Sequence, residues 1–379
     1  WFCSSPTPFE PVVLDSVPGN WQQQYGMTQE WLRTSNPTSK VKGVYRKGGI
    51  GYQFTHASYG TFEHLAKTAH QFEINADDNK VYVDLGYQFS QNSTWAQDSG
   101  AAQYHHFNIA PVTRGKNGIL SYEFGLQFAG TQTAGLDSNR FEFYVFPRIN
   151  LQAELLRRTL AIYGGWDGEV EQNTLRSLIA EAPQLSLVQQ QRLSGSNRGY
   201  VGMQGALVGK LQYRLEGSMA FLNDAVVFER DTLAPLKTVD DAQLAALQVG
   251  YADNVVRTSL RGELNIPLKH FTASTYAQLN AFSGDEFIGR EGRVMGAMAH
   301  YRINELSVRT NLKYVGGRYA INGYSLEDYL DWSASINYEI NDHLSASLHG
   351  YNLLGRRYQL WEGYYVRGAR GLFTLNYQF

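Results

Sequence analysis

The sequence lacks the features that define several common classes of protein. Its single cysteine, Cys3, permits no internal disulfide. It contains no run of about 18 apolar residues, which excludes a helical membrane protein. The formal net charge of −2 gives no electrostatic basis for binding nucleic acid. Ten prolines and 37 glycines make the chain rich in turns without making it a low-complexity sequence.

Motifs of enzyme and metal chemistry are also missing. The chain has no glycine-rich phosphate loop, no HExxH and no GxSxG. His105 and His106 are adjacent in a strand pattern, so their side chains point to opposite faces and cannot share a metal ion. His300 and His349 fall on water-facing positions, where a solvated histidine is a simpler interpretation than a catalytic one. We therefore expect no catalytic, metal or cofactor site, and a protein that is not an enzyme.

What the sequence does contain is alternation, most clearly in its last nine residues. Apolar and polar positions alternate there, with Phe373, Leu375, Tyr377 and Phe379 on the apolar side. A period of two predicts a β-strand with one apolar and one polar face. A soluble sandwich would give the same pattern, but it would not need aromatic residues at the end of the chain. Lipid outside and water inside explains both features, because only a closed barrel places a sheet in a bilayer without unpaired backbone groups.

The same alternation recurs from Val41 onwards, and it divides the chain into two parts. Residues 1–40 are polar and interrupted by prolines, so we predict an irregular segment there and a barrel over residues 41–379. Strong alternating segments begin at Val81, Leu120, Leu211, Leu306 and Leu330. We interpret Cys3 as a bystander, because Trp1 and Phe2 are not the small residues expected before a lipid-modified cysteine. We expect the sequence to begin at or after the site of export processing.

The connections between strands alternate in length. Tight turns at Asn304-Glu305 and Asn341-Asp342 contrast with long links such as Leu353–Arg370. Short periplasmic turns opposite long extracellular loops are typical of outer-membrane barrels. The pattern predicts about 16 strands, with about 14 as the alternative. This count requires Leu244–Ile266 to be one long strand with a bulge at Asp253-Asn254.

The polar faces of these strands carry charges of both signs. A charge that faces lipid near the middle of the bilayer costs about 2–4 kcal/mol, so the charged face must look inwards. The residues predicted to line the lumen are Asp84, Glu123, Arg214, Glu216, Arg261, Glu263, Arg302, Arg309, Lys313, Asp331 and Glu339. Interleaved signs differ from the lining of a strongly ion-selective pore. They indicate either a lattice of cross-strand ion pairs, the simpler interpretation, or a mixed lining that passes or binds neutral polar solutes.

Two of the predicted outer loops carry apolar residues. The residues concerned are Leu175, Leu178 and Ile179 in the first loop and Val227 and Phe228 in the second. The first three have helical spacing, and Pro183 ends that pattern. Because exposed apolar residues on an outer loop need covering, we expect these loops either to fold inwards as a constriction or to dock another protein.

The last ~110 residues resemble the barrel of TonB-dependent outer-membrane receptors, especially the Bacteroidetes branch. The pieces that carry the resemblance are Tyr314-Val-Gly-Gly-Arg-Tyr319, Tyr329-Leu-Asp-Trp332, Tyr351-Asn-Leu-Leu-Gly-Arg-Arg-Tyr358, Trp361-Glu-Gly-Tyr364 and the closing strand. The resemblance implies that Tyr377 and Phe379 form a signal read by the barrel assembly machinery. Receptors of that family carry an N-terminal plug domain. Only ~40 residues precede the first convincing strand here, so the sequence predicts a barrel without a plug.

Together these patterns predict a transmembrane antiparallel up-and-down β-barrel in the outer membrane of a Gram-negative bacterium, in contact with its lipid. The leading hypothesis is a non-enzymatic subunit of a multi-protein complex for transport, secretion or assembly, working with other outer-membrane or periplasmic proteins. The alternative is a stand-alone porin-like channel or transporter for small polar solutes. An outer-membrane enzyme is a distant third.

Overall fold

A computed structural model describes most of the chain between residues 26 and 377. The described residues are 26–35, 45–56, 62–76, 79–93, 102–134, 139–182, 185, 192–207, 210–230, 237–239, 242–244, 247–283, 290–320, 323–362 and 364–377. The strands are β1 Gly26–Ser35, β2 Tyr45–His56, β3 Phe62–Ala76, β4 Asn79–Ser93, β5 Ala102–Asn117, β6 Leu120–Ala134, β7 Arg140–Leu156, β8 Leu160–Gln172, β9 Leu193–Ala206, β10 Gln212–Asn223, β11 Ala225–Arg230, β12 Lys237–Val239, β13 Ala242–Leu244, β14 Leu247–Ala252, β15 Val255–Pro267, β16 Phe271–Phe282, β17 Arg293–Ile303, β18 Leu306–Gly316, β19 Arg318–Tyr319, β20 Ser325–Leu326, β21 Tyr329–Glu339, β22 Leu344–Tyr351, β23 Gln359–Trp361, β24 Tyr364–Tyr365 and β25 Arg370–Tyr377. A helix, α1, covers Leu175–Glu181.

One large antiparallel sheet dominates the fold. Each of its strands pairs with the next one along the chain, in the order β1 to β10, β15 to β18, β21, β22 and β25. From β2 to β25 this is the sixteen-stranded up-and-down sheet that the alternation predicts. Four two-stranded ribbons, β11–β14, β12–β13, β19–β20 and β23–β24, lie outside it.

A seventeenth strand, β1, precedes these sixteen and pairs with β2. It lies within residues 1–40, for which the sequence predicts irregular structure. The prolines behind that prediction do not interrupt β1, since Pro18 precedes it and Pro37 follows it. Backbone pairing with a neighbouring strand can stabilise a segment that lacks a clean alternating pattern.

The two faces of the sheet differ as the alternation predicts. The hydrogen-bond register keeps side chains of like character together, so Lys313 lies opposite Asp331 while Leu312 lies opposite Trp332. We call the two sides the charged face and the apolar face. On the apolar face large side chains are open to the surroundings, and Phe373 of β25 is 62% exposed. Strand β25 thus has the two different faces expected of a strand between an aqueous and an apolar environment.

The connections divide the molecule into a short-turn end and a long-loop end. At the short-turn end β17 and β18 are joined by Asn304-Glu305, where Asn304 adopts a left-handed φ of 50°. At the long-loop end β8 and β9 are joined by residues 173–192, which include α1.

The prediction of one long strand over Leu244–Ile266 is wrong. The chain breaks at Asp253-Asn254 into β14 and β15, and β14 pairs with β11 in a ribbon outside the main sheet. Asn254 adopts a left-handed φ of 57°, which ends the strand here and does not form a β-bulge within it. The position predicted for a bulge is therefore the position of the break.

Helix α1 contains the three residues with helical spacing and ends before Pro183, as the sequence predicts. Thr174 is the N-cap, and its hydroxyl oxygen accepts a hydrogen bond from the Ser177 backbone N–H at 3.1 Å. The helix ends at Glu181, two residues before Pro183. Within the described ranges, no helix is long and apolar enough to cross a membrane.

Candidate functional site

The charged face carries all the residues predicted to line a lumen. Across β4 to β7 these residues are joined by arginines. Arg148 donates to Asp84 at 3.0 Å and to Glu123 at 2.8 Å, and Arg114 donates to Glu123 at 2.6 Å. One carboxylate thus bridges two guanidinium groups on flanking strands, which is the cross-strand lattice of the simpler interpretation.

A second network lies on β8, β9, β10 and β15. Glu216 accepts from Arg214 at 2.7 Å, from the Tyr163 hydroxyl at 3.0 Å, and from Arg198. On the next strand Arg261 donates to Glu263 at 2.5 Å. Glu216 and Arg198 are partly buried, so the attraction between them is screened less than that of a surface pair.

The remaining predicted residues lie on β17, β18 and β21. Arg302 pairs with Glu339 at 3.0 Å. Lys313 stands opposite Asp331 in the register but donates to Glu291 at 2.8 Å. Arg309 lies opposite His300 and Ser335. That this face lines a lumen stays a prediction.

Several charged residues of this face were missed by the sequence analysis. They are Arg114, Arg148, Arg198, Arg257 and Glu291. The four arginines lie on the charged face, in strands where glycine, serine or proline interrupts the alternation of apolar and polar residues. They could have been found by assigning each residue to a face from its odd or even position, starting from the strands with clear alternation. This also requires the register between neighbouring strands.

The five apolar loop residues, which were predicted to need covering, are buried. Leu175, Leu178, Ile179, Val227 and Phe228 keep only 1% to 4% of their surface exposed. The loops of one end converge and bury apolar surface against each other, which supplies the covering from within the chain. No external partner is required for it.

We call this assembly the loop cap. It consists of α1, the β11–β14 ribbon, the β23–β24 ribbon and Arg290. Its core is formed by the apolar residues Leu175, Leu178, Ile179, Ala182, Leu185, Val226, Phe228, Leu247, Trp361 and Tyr364. Trp361 packs edge-on against Phe228 with ring centroids 4.9 Å apart. Burial here raises the pKa of Tyr364 to about 12. Val227 points to the other side of its ribbon and packs with Ala225, Ala252 and Val255.

Helix α1 reaches from β8 to the opposite part of the charged face. The Leu175 backbone N–H lies 3.2 Å from each carboxylate oxygen of Glu63 on β3, whose side chain is fully buried. Arg176 donates to the Gln53 amide oxygen on β2 at 3.1 Å. A carboxylate at the first turn satisfies a backbone donor that has no partner within the helix. The helix therefore lies on the charged face and bridges strands that are far apart in the sheet.

Polar contacts hold the other end of α1. Arg290 pairs with the Glu181 carboxylate and donates to the Val226 carbonyl at 2.8 Å. The Trp361 indole N–H donates to the Glu181 carbonyl at 3.0 Å. Burial raises the pKa of the Glu181 carboxyl, although Arg290 opposes that shift. Four loops are thereby tied together at one point.

Three cavities follow one another down the charged face beneath the cap. The upper cavity has a volume of about 320 Å³ and is lined by Glu169, Glu171, Glu181, Arg257 and Arg290 among others. The middle cavity, also about 320 Å³, is lined by Arg198, Arg214, Glu216, Arg257, Arg261 and Glu263 together with serines and Gln278. The largest, about 750 Å³, opens near the short-turn end between β7 and β16. Such concave, polar-lined space suits a small hydrophilic solute.

The predicted assembly signal is only partly within the described residues. Tyr377 ends β25 on the apolar face and is 62% exposed. Phe379 lies outside the described residues. The role of both in assembly stays a prediction.

Solved structures with the same fold are outer-membrane transporters and receptors. The copper transporter OprC is 11% identical, with a TM-score of 0.58 over 94% of this chain and 65% of its own. The FrpB iron transporter from Neisseria meningitidis (F5-1 variant) is 10% identical, with a TM-score of 0.63 over 94% and 64%. The siderophore receptor PirA from Acinetobacter baumannii is 11% identical, with a TM-score of 0.59 over 94% and 63%. No protein-family model and no curated protein matches the sequence.

At these identities the likeness defines the fold alone. It is the β-sheet fold of TonB-dependent outer-membrane receptors, as the C-terminal motifs indicate. The chain spans 63% to 65% of the length of these three proteins. That the chain works without a plug and that it comes from the Bacteroidetes branch stay predictions.

Proposed function

We propose that this chain is a non-enzymatic β-barrel of the outer membrane of a Gram-negative bacterium that carries a polar solute across it. The observation that supports the proposal best is the combination of an apolar face, a charged face and cavities that follow the charged face beneath a loop cap. In a barrel closed by its first and last strands, the apolar face contacts lipid and the charged face surrounds water.

The two faces divide the work of such a transporter. The charged face offers hydrogen-bond donors and acceptors that replace the water shed by a solute on its way through. The loop cap keeps larger molecules out and limits free diffusion while it is closed. Its packing through several loops gives it two discrete arrangements, docked and undocked, instead of a continuous deformation.

The likeness to transporters and receptors supports transport over enzyme chemistry. What copper or iron transporters carry is a property of those proteins, and no solute is transferred from them here. The hypothesis of a subunit in a larger complex rested on four observations together: a receptor-like C-terminal half, no predicted plug, interleaved lumen charges, and apolar loop residues in need of a partner. Since the loop cap buries those residues, transport is the better supported of the two functions.

The proposal can be tested with purified protein in liposomes. Folded protein should resist detergent until boiled and then migrate differently on a gel, because a closed barrel keeps its backbone hydrogen bonds. Liposomes containing it should admit a small neutral sugar or a small organic acid faster than empty liposomes. A heat-modifiable protein that admits neither, even after the cap has been loosened, would contradict transport. That result would favour a sealed barrel that serves as a subunit of a larger complex.

A further inference from the structure

Four arginines converge on the middle cavity of the charged face. Arg198 on β9, Arg214 on β10, and Arg257 and Arg261 on β15 all line the same space of about 320 Å³. The register explains the convergence. Ala220 of β10 lies between Arg198 and Arg257, and Glu216 lies opposite Arg261. An alanine between two arginines leaves room for both guanidinium groups to extend into the cavity.

The carboxylates of this cavity do not neutralise it. Two of them, Glu216 and Glu263, stand among the four arginines, so the lining carries two more positive than negative charges. Glu216 is already engaged by Arg198, Arg214 and Tyr163, and Glu263 by Arg261. One unit of the excess charge lies on Arg198 and Arg214, which share Glu216, and the other unit lies on Arg257.

Arg257 differs from the other three in its contacts. In the part of the chain that the structure describes, its guanidinium makes no hydrogen bond or ion pair. The charges around it are those of Arg198, Arg290 and Glu169. Two of these three charges are positive and only Glu169 is negative, so an anionic ligand would stabilise the half-buried guanidinium further.

Arg257 also occupies the junction between two cavities. It lines the upper cavity beneath the loop cap as well as the middle one. The upper cavity carries Glu169, Glu171 and Glu181. A solute passing from the cap towards the short-turn end thus leaves an acidic compartment and meets Arg257 first in a basic one.

We propose that the middle cavity is a binding station for solutes that carry carboxylate or phosphate groups, with Arg257 as the primary contact and Arg198 and Arg261 beside it. The forked donors of a guanidinium match the paired oxygens of either group. Ser218 in the same lining can donate a further hydrogen bond, whereas Ser259 and Gln278 donate to Asn280. The assignment of this ligand class as cargo rests on the proposed transport function, but binding itself does not.

The test measures binding of citrate and of inorganic phosphate to the purified chain in detergent, at low ionic strength. We expect saturable binding of at least one of them. Arg257→Gln should weaken it about tenfold or more, because the change removes the charge and the forked donors that hold the anion. Arg257→Lys, which keeps the charge and loses the fork, should fall between. Tighter binding of citrate would assign carboxylates as the ligand class, and tighter binding of phosphate would assign phosphates.

A matched control is Arg309→Gln, which removes a guanidinium from the same face outside the cavity. It should leave binding unchanged within about twofold, since a distant, screened charge contributes little. No saturable binding to folded wild-type protein, or an equal loss in both glutamine variants, would overturn the proposal. Binding without any transport of the same anion would refute this anion as cargo and leave the binding station intact.

Discussion

Replacing Leu178 with alanine should loosen the loop cap without unfolding the sheet. Leu178 is 1% exposed and lies in the core of the cap. Helix α1 has seven residues, too few to be stable by itself in water, so its structure depends on this packing. The sixteen-stranded sheet has its own backbone pairing and does not depend on Leu178.

The size of the effect follows from the burial of the side chain. Removing a fully buried leucine side chain down to alanine costs about 2–5 kcal/mol, through lost transfer free energy and the cavity left behind. Even about 2 kcal/mol raises the ratio of undocked to docked cap by roughly 30-fold. Glu63→Gln should act in the same direction with a smaller effect, since an amide keeps one acceptor for the Leu175 N–H.

Hydrogen exchange measures this equilibrium directly. The amide of Leu178 donates to Thr174 at 3.0 Å and that of Ala182 donates to Leu178 at 2.8 Å, so both are protected only while α1 is formed. Peptides covering 172–182 should exchange at least about 10-fold faster in Leu178→Ala. Solute flux into liposomes should rise with the same variant, because the cap lies over the cavities.

A matched control separates the cap from general destabilisation. Leu260→Ala makes the same deletion on the apolar face of β15, where Leu260 is 49% exposed. It should leave the exchange of 172–182 unchanged. If Leu178→Ala exchanges like the wild type in that region, α1 is not held by the packing described here, and the reasoning about the cap fails.

Two further predictions concern the faces and the end of the chain. Cysteine at Lys313 should react with a small charged thiol reagent in intact membranes, while cysteine at Leu312 should not. Lys313 lies on the charged face, predicted to meet water, and Leu312 on the apolar face, predicted to meet lipid. The reverse pattern would show that the faces are exchanged. Deleting Phe379 should lower the amount of assembled barrel in cells without lowering the heat resistance of the part that assembles, and unchanged assembly would contradict its role as a signal.

The sheet could be predicted because its information is local. A period of two, repeated over nine or more residues as in β4 and β18, sets the faces of a strand without reference to its neighbours. The helical spacing of Leu175, Leu178 and Ile179 is equally local, and with Pro183 it predicts α1 and its C-terminal end. β1 was not predicted because pairing with β2 stabilises it, and the sequence of β1 alone does not reveal that pairing.

The loop cap could not be predicted because its information is distributed. Leu178, Phe228 and Trp361 come from three loops far apart in the chain and meet in one core. From the sequence each is an apolar residue in a long link, which indicates that something must cover it but not what. Arg257 shows the same limit. Its role depends on Arg198 and Ala220, which only the register brings beside it.

The motifs that carry the family resemblance have a structural explanation in the same region. Arg318 of the Tyr314–Tyr319 piece is 2% exposed and donates to the carbonyl oxygens of Gln359 at 2.8 Å and Glu327 at 2.8 Å. Its guanidinium also lies over the Tyr329 ring, 4.7 Å from the centroid, and that ring stacks on Tyr358 at 4.1 Å. A buried arginine needs such a set of acceptors, since its charge would otherwise be left without compensation. Because Gln359 begins the ribbon that delivers Trp361 to the cap, these motif residues position the cap on the end of the sheet.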